Sequence, residues 1–143
     1  MAGPFIKIEV EGEKQLMAGF LRVGRDLSNF RVPLTAANAL IRKSVDTNFE
    51  REGSELGKPW KKLSKPAGHK ILQDTGLMRG SFLSMISNTR LEISNTAPYF
   101  AFHQSNRPRH KLPRRIMMRI DKQRRDEVMR LFTVFLDKVA KRF

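Results

Sequence analysis

Apolar residues recur along this chain with two distinct periods. In Phe5-Ile6-Lys7-Ile8-Glu9-Val10 apolar and charged residues alternate, which predicts a short strand that Glu11-Gly12 ends. From Glu13 the period lengthens. Leu16, Phe20, Val23 and Leu27 follow at spacings of four, three and four, the stripe of an amphipathic helix. Gly19 and Gly24 fall within it, and each weakens a helix by up to ~1 kcal/mol relative to alanine, which points to close packing against a neighbour. Phe30-Arg31-Val32-Pro33 then breaks the pattern, because a residue preceding proline avoids helical backbone. A second helix is predicted from Pro33, a favoured first-turn residue. Leu34, Ala37, Ile41, Val45 and Phe49 form its core face, and it ends near Gly53.

Residues 53–70 are rich in Gly, Pro, Ser and Lys and predict an exposed irregular loop. Trp60, the only tryptophan, is expected to fold back and pin that loop to the body. Gln73-Asp74-Thr75-Gly76 precedes a short helix from Leu77 to about Phe82, with Asp74 or Thr75 accepting backbone N–H bonds at its start. Leu83–Ile86 and Leu91–Ile93 flank Ser87-Asn88-Thr89-Arg90 and predict a β-hairpin. Pro98–His103 reads as a helical turn packing Tyr99 and Phe102, and Ile116–Ile120 as a last strand. The clearest helix runs from about Asp121 to Lys141, with Val128, Leu131, Phe132, Phe135 and Val139 on one face. Met129, Val134 and Leu136 widen its apolar surface beyond what one packed face needs, so it reads either as a deeply wedged helix or as a subunit interface. With no repeat and no long linker, the chain is predicted to be one α+β domain over residues 1–143. Its helices pack on a small antiparallel sheet, with extended loops at 53–70 and 105–115.

Composition narrows the function classes. At 143 residues and 40% hydrophobic, the chain can bury one real core. No apolar run approaches the ~18 residues that span a bilayer, so no membrane partner is expected. Met1–Phe5 shows no basic region followed by an apolar one, so no secretory signal is expected. The absence of cysteine excludes disulfides and thiolate metal sites and suits assembly in a reducing cytosol. Charge changes the picture most. Lys and Arg number 28 against 14 acids, a net of +14. Between Arg107 and Arg125 nine cations (107, 109, 111, 114, 115, 119, 122, 124 and 125) face one acid, Asp121, a local net of +8. Such a segment has three readings: a solvated basic surface, a contact for acidic patches on partner subunits, or a face for DNA phosphates. Arg107, Arg109, Lys111, Arg114 and Arg115 are the candidate outward contacts. No helix-turn-helix, zinc finger or RNA-binding sheet motif accompanies them, so a DNA contact would be nonspecific.

Catalytic chemistry finds little support. Asp74-Thr75-Gly76 has the form of an aspartic-protease motif, but that chemistry needs two carboxylates sharing a proton, and no second copy exists. It reads instead as a helix cap with a tight turn. His103 would need an orienting carboxylate to act as a base and fellow ligands to hold a metal, whereas His69 and His110 sit in loop stretches. The better reading is a half-buried histidine fixing its turn. The acids are scattered, unlike the clustered ligands of a metal-dependent nuclease. No enzyme activity, catalytic residue, cofactor or metal is expected.

Three signatures remain. They are Gly57-Lys58-Pro59-Trp60 leading to Asp74-Thr75-Gly76-Leu77 with Ser81; Tyr99-Phe100-Ala101-Phe102-His103-Gln104; and Leu112-Pro113-Arg114-Arg115. In order and spacing they resemble the phage virion morphogenesis (tail completion) family, related to tail-completion and neck proteins, over roughly residues 45–143. The resemblance implies a structural virion protein, a tail-terminator-like ring subunit at the head-proximal end of the tail that joins it to the neck or head. Implied partners are other copies of the chain, in a ring matching six-fold tail symmetry, the tail tube and neck or head-completion proteins. DNA passing nonspecifically through the lumen is a further implied contact. The implied location is the tail–neck region of the virion, after assembly in the host cytoplasm. Trp60, Asp74, Thr75, Gly76, Tyr99, His103, Gln104 and Pro113 would be structural motif residues. The family often has a glycine shortly after the His-Gln pair, where this chain has Ser105-Asn106. The alternative reading is a small nonspecific DNA-binding protein acting through residues 107–125.

Overall fold

Alternation near the N-terminus becomes strand β1 (Ile6–Glu9), which joins a hairpin of β2 (Phe82–Ile86) and β3 (Arg90–Asn95). A computed structural model describes residues 6–11, 29–63, 68–104 and 113–141. The sheet order is β1-β3-β2, antiparallel throughout, with Ile6 opposite Ile93 and Met85 opposite Glu92. This register sends Ile6, Ile8, Phe82, Leu91 and Ile93 to the core. On the outer face Lys7 stands opposite Glu92 and Glu9 opposite Arg90, an arrangement of opposite charges that favours this pairing. The hairpin closes as predicted, with Ser87 N donating to Arg90 O at 2.8 Å.

Four helices lie among the described residues: α1 (Arg31–Glu50), α2 (Leu77–Gly80), α3 (Phe100–Gln104) and α4 (Lys122–Ala140). The architecture is the α+β class read from the sequence. Helix α1 buries Leu34, Ala37, Ile41, Val45 and Phe49, the predicted face. It starts two residues before Pro33, a correction to the sequence reading. The first N–H groups of a helix have no intrahelical acceptor, so a proline at the third position costs no bond there. Phe30 anchors the earlier start, buried against Phe132 and Phe135 with ring centroids 6.1 and 5.8 Å away. Helix α4 opens on Asp121, whose carboxylate accepts from Arg124 N at 2.9 Å, an N-cap bond. Its apolar stripe packs on α1, with Val128 and Val139 buried and Leu131, Phe132, Phe135 and Leu136 half-buried.

Several boundaries differ from expectation. Helix α2 stops at Gly80 because Phe82 is drawn into the sheet, where it meets Phe49 and Phe100 edge-on at 6.2 and 5.6 Å. At the start of α3 the core ring is Phe100, 1% exposed, while Tyr99 just before it is 62% exposed. Tyr99 and Phe102 pack on each other at 6.4 Å. Residues 116–120 form no strand. The Ile116 carbonyl and the backbone of Met117 and Met118 pair with side chains instead. The helix predicted over Glu13–Leu27, with Leu16, Phe20, Val23 and Leu27, lies outside the described residues, as do Phe5 and the loop bearing Arg107, Arg109 and Lys111.

Candidate interaction surfaces

Residues 113–118 form one irregular segment that carries the end of the third signature and is met by residues of the other two. Trp60 lies in the predicted loop and folds back, 5% exposed, with Nε1 donating to Ile116 O at 2.9 Å and its ring edge-on to Phe49 at 5.3 Å. Its backbone N donates to Glu52 O at 2.7 Å. Gly53 makes room for the indole: its φ is +101°, and a Cβ there would stand 2.4 Å from Trp60 Cδ1. Asn48 of α1 reaches the same carbonyl, donating from Nδ2 to Ile116 O at 2.9 Å and accepting Leu56 N on Oδ1 at 3.0 Å. Gln104, at the end of α3, acts as a surrogate strand. Its Oε1 accepts Met117 N at 2.7 Å and Met118 N at 3.2 Å, and its Nε2 donates to Met118 O at 2.7 Å. Side chains thereby satisfy backbone groups that a sheet ladder would otherwise take.

Arg115 closes the arrangement. Its N donates to His103 O at 2.8 Å, and its guanidinium Nε and Nη2 donate to Lys61 O at 3.2 and 2.8 Å. It is 6% exposed, which corrects its reading as an outward contact. Burial holds its pKa below the ordinary arginine value. Arg114, next to it, is exposed as expected, and half-buried Pro113 precedes both. His103 is buried at 8% exposure, and its Nδ1 has no hydrogen-bond partner. Burial lowers its pKa first and the nearby Arg115 charge adds to this, while the Pro113 backbone partly opposes both. The imidazole is therefore neutral at pH 7. No carboxylate is paired with it among the described residues.

Of the two acceptors expected at the start of α2, Asp74 and Thr75, it is Thr75 that takes the bond. Gly76 occupies the N-cap position of α2 in left-handed conformation, φ 74°. Thr75 Oγ1 accepts Leu77 N at 3.3 Å, whereas Asp74 is exposed, 3.7 Å from His69 Nε2. No group of three or more His, Cys, Asp or Glu side chains that could hold a metal occurs among the described residues. No described helix is long and apolar enough to cross a membrane.

Exposed apolar side chains gather in two separate places, besides the single residues Leu77, Tyr99 and Met129. Between α1 and α4 lies an open groove of about 970 Å³, floored by Pro33, Ala36, Leu40, Leu131 and Phe135. Val32 and Val134 stand on its rim, 72% and 49% exposed, beside Lys122, Asp126, Glu127 and Arg130. The second place is edge strand β2. Phe82 and Ser84 face α1, Ser84 accepting from Arg42 at 2.9 Å and donating to Asn38 at 2.6 Å. Alternation turns Leu83 and Met85 the other way, 52% and 70% exposed. Sequence reasoning foresaw the apolar excess of α4 but missed β2, whose apolar run gave no sign of which residues face out. It also missed Asn48, whose signal was a polar residue on the core-facing side of α1. No family model, curated protein or solved structure matches this chain.

Proposed function

We propose that this chain is a structural virion subunit of the tail-completion type, assembling with copies of itself into a ring at the head-proximal end of a phage tail. The ring would be six-fold to match the tail and would join the tail tube to neck or head-completion proteins. The observation that carries this reading is the pair of dissimilar apolar surfaces. A closed ring needs a heterologous contact, in which one surface of a subunit meets a different surface of the next. The α1–α4 groove and the β2 edge with Leu83 and Met85 are two such surfaces. An edge strand with no partner on its outer side among the described residues also offers backbone groups to a neighbour. Of the motif residues, Trp60 and Gln104 brace the fold through bonds to residues 116–118, which suits a structural protein.

Mass measurement by light scattering tests the reading. Copies carrying +14 repel one another, so an apolar contact between them strengthens as salt screens the charge. The purified protein is expected to form a discrete closed oligomer at 0.5 M salt that weakens at 0.05 M. Val134→Asp, at a half-exposed position, should yield a folded monomer. A wild-type protein that stays monomeric at all salts, and is missing from assembled tails, overturns the proposal.

A further inference from the structure

A second open cavity, of about 540 Å³, carries charge of only one sign. Lys58 and Lys61 line it from the loop after α1, and Arg114 and Arg119 from the segment before α4, with Trp60 and Ile116 between them. No carboxylate lines it among the described residues. None of the four cations has an ion-pair partner among the described residues, although cations elsewhere do. Arg79 meets Asp46 and Glu50, Arg124 meets Glu55 and Asp121, and Lys70 meets Glu50. The two walls are held in place by the bonds already described, Trp60 Nε1 to Ile116 O at 2.9 Å and the Arg115 guanidinium to Lys61 O. The fold thus fixes unneutralised cations around a concave surface, which concentrates positive potential there.

From this geometry we infer that the Lys58–Lys61–Arg114–Arg119 groove binds the phosphate backbone of duplex nucleic acid, without reading its sequence. The inference goes beyond the assembly reading and holds whether or not the chain forms a ring. A lipid surface fits less well, because the strongly exposed apolar residues (Val32, Leu77, Leu83, Met85, Tyr99, Met129 and Val134) all lie outside the groove. Stacking on unpaired bases, the mode of single-strand binding, finds no platform here. The one aromatic ring in the lining, Trp60, is 5% exposed and committed to Phe49 and Ile116, so it offers no stacking platform. Phosphates need only cations, and cations are what the groove presents.

Fluorescence anisotropy of the full chain with a labelled 20-base-pair duplex, titrated between 50 and 200 mM salt, tests the inference. Four phosphate contacts contribute a slope of about −3.6 to log K against log salt, or roughly 150-fold across that range. Replacing Lys58, Lys61, Arg114 and Arg119 with Ser should remove that share of the slope and most of the affinity. A charge-matched variant with Lys43, Arg125, Lys138 and Lys141 replaced by Ser should keep the slope within about one unit. Lys58→Glu alone, at an exposed position, should weaken binding several-fold while circular dichroism stays unchanged. Two duplexes of unrelated sequence should bind alike. Equal losses in the two four-site variants, or no duplex binding at 50 mM salt, overturn the inference. So does equal, groove-dependent binding of polyglutamate or of vesicles containing anionic lipid.

Discussion

Gln104→Ala tests whether a single side chain does the work of a missing strand. The Gln104 amide makes three bonds to a segment whose Met117 and Met118 are 0% and 2% exposed. Truncation leaves two N–H groups and one carbonyl without partners in the interior. Each such group costs about 1–3 kcal/mol, and water entering the space left by the side chain returns part of it. The expected net loss is about 3 kcal/mol, a large fraction of the roughly 5–15 kcal/mol of a typical domain. For a chain of this length that is a fall of about 10 °C in Tm. Urea unfolding followed by circular dichroism, at fixed protein concentration, should show a lower midpoint with the slope m unchanged. Gln104→Glu keeps the acceptor but turns the donor into an anion against Met118 O, so it should fall at least as far. A Gln104→Ala loss under about 1 kcal/mol would refute the reasoning, because a group replaced so easily by water is not a structural substitute for a ladder.

Gly53→Ala combines a left-handed backbone at φ +101° with a Cβ placed 2.4 Å from the indole, and should cost about 2–5 kcal/mol. Because Trp60 is the only tryptophan, a red shift of its fluorescence reports the displaced ring. His103 gives a pH dependence. Its folded pKa is lowered, so below about 6.5 the unfolded chain takes up a proton that the folded chain refuses, and stability falls as pH drops through that value. Denaturation midpoints at pH 7.5 and 5.5 should therefore differ more in the wild type than in His103→Gln; equal differences would show that the histidine is not responsible. The window avoids Glu9 and Glu50, whose lowered pKa values place their contribution below about 4.5.

Periodicity made the long helices legible. The stripe Leu34, Ala37, Ile41, Val45 and Phe49 is a core face because only a helix brings those positions together, and the structure buries all five. The hairpin was legible from Ser87-Asn88-Thr89 between two apolar runs. Residues 116–120 were not, since Ile116, Met118 and Ile120 alternate as a strand does, while their partners are Asn48, Trp60 and Gln104. Long-range side-chain bonds leave no local period to read. The aromatic cluster Tyr99, Phe100 and Phe102 failed for a related reason, because adjacent rings do not say which one the core takes. Arg114 and Arg115 look alike in sequence and differ in what stands beside them: Arg114 lines the open groove with its Nε donating to Gln104 O at 3.2 Å, while Arg115 is buried on Lys61 O. Lys58 and Lys61 are not among the cationic contacts read from the sequence because their significance lies in their nearness to Arg114 and Arg119, which is a tertiary fact.

The side-chain anchoring of residues 116–118 also sets an order of events. The bonds from Trp60 and Asn48 to Ile116 O bridge sequence separations of 56 and 68 residues, so they form only after α1 and its following loop have been placed. Such a segment gains nothing from early local structure, so it is expected to dock after α1 has formed. Its amides should exchange with deuterium sooner than those of α1, even where both are buried. Docking of this segment also brings Arg114 and Arg119 to Lys58 and Lys61. The all-cationic groove is therefore a product of completed folding, absent from a nascent or partly opened chain whose helices are already formed.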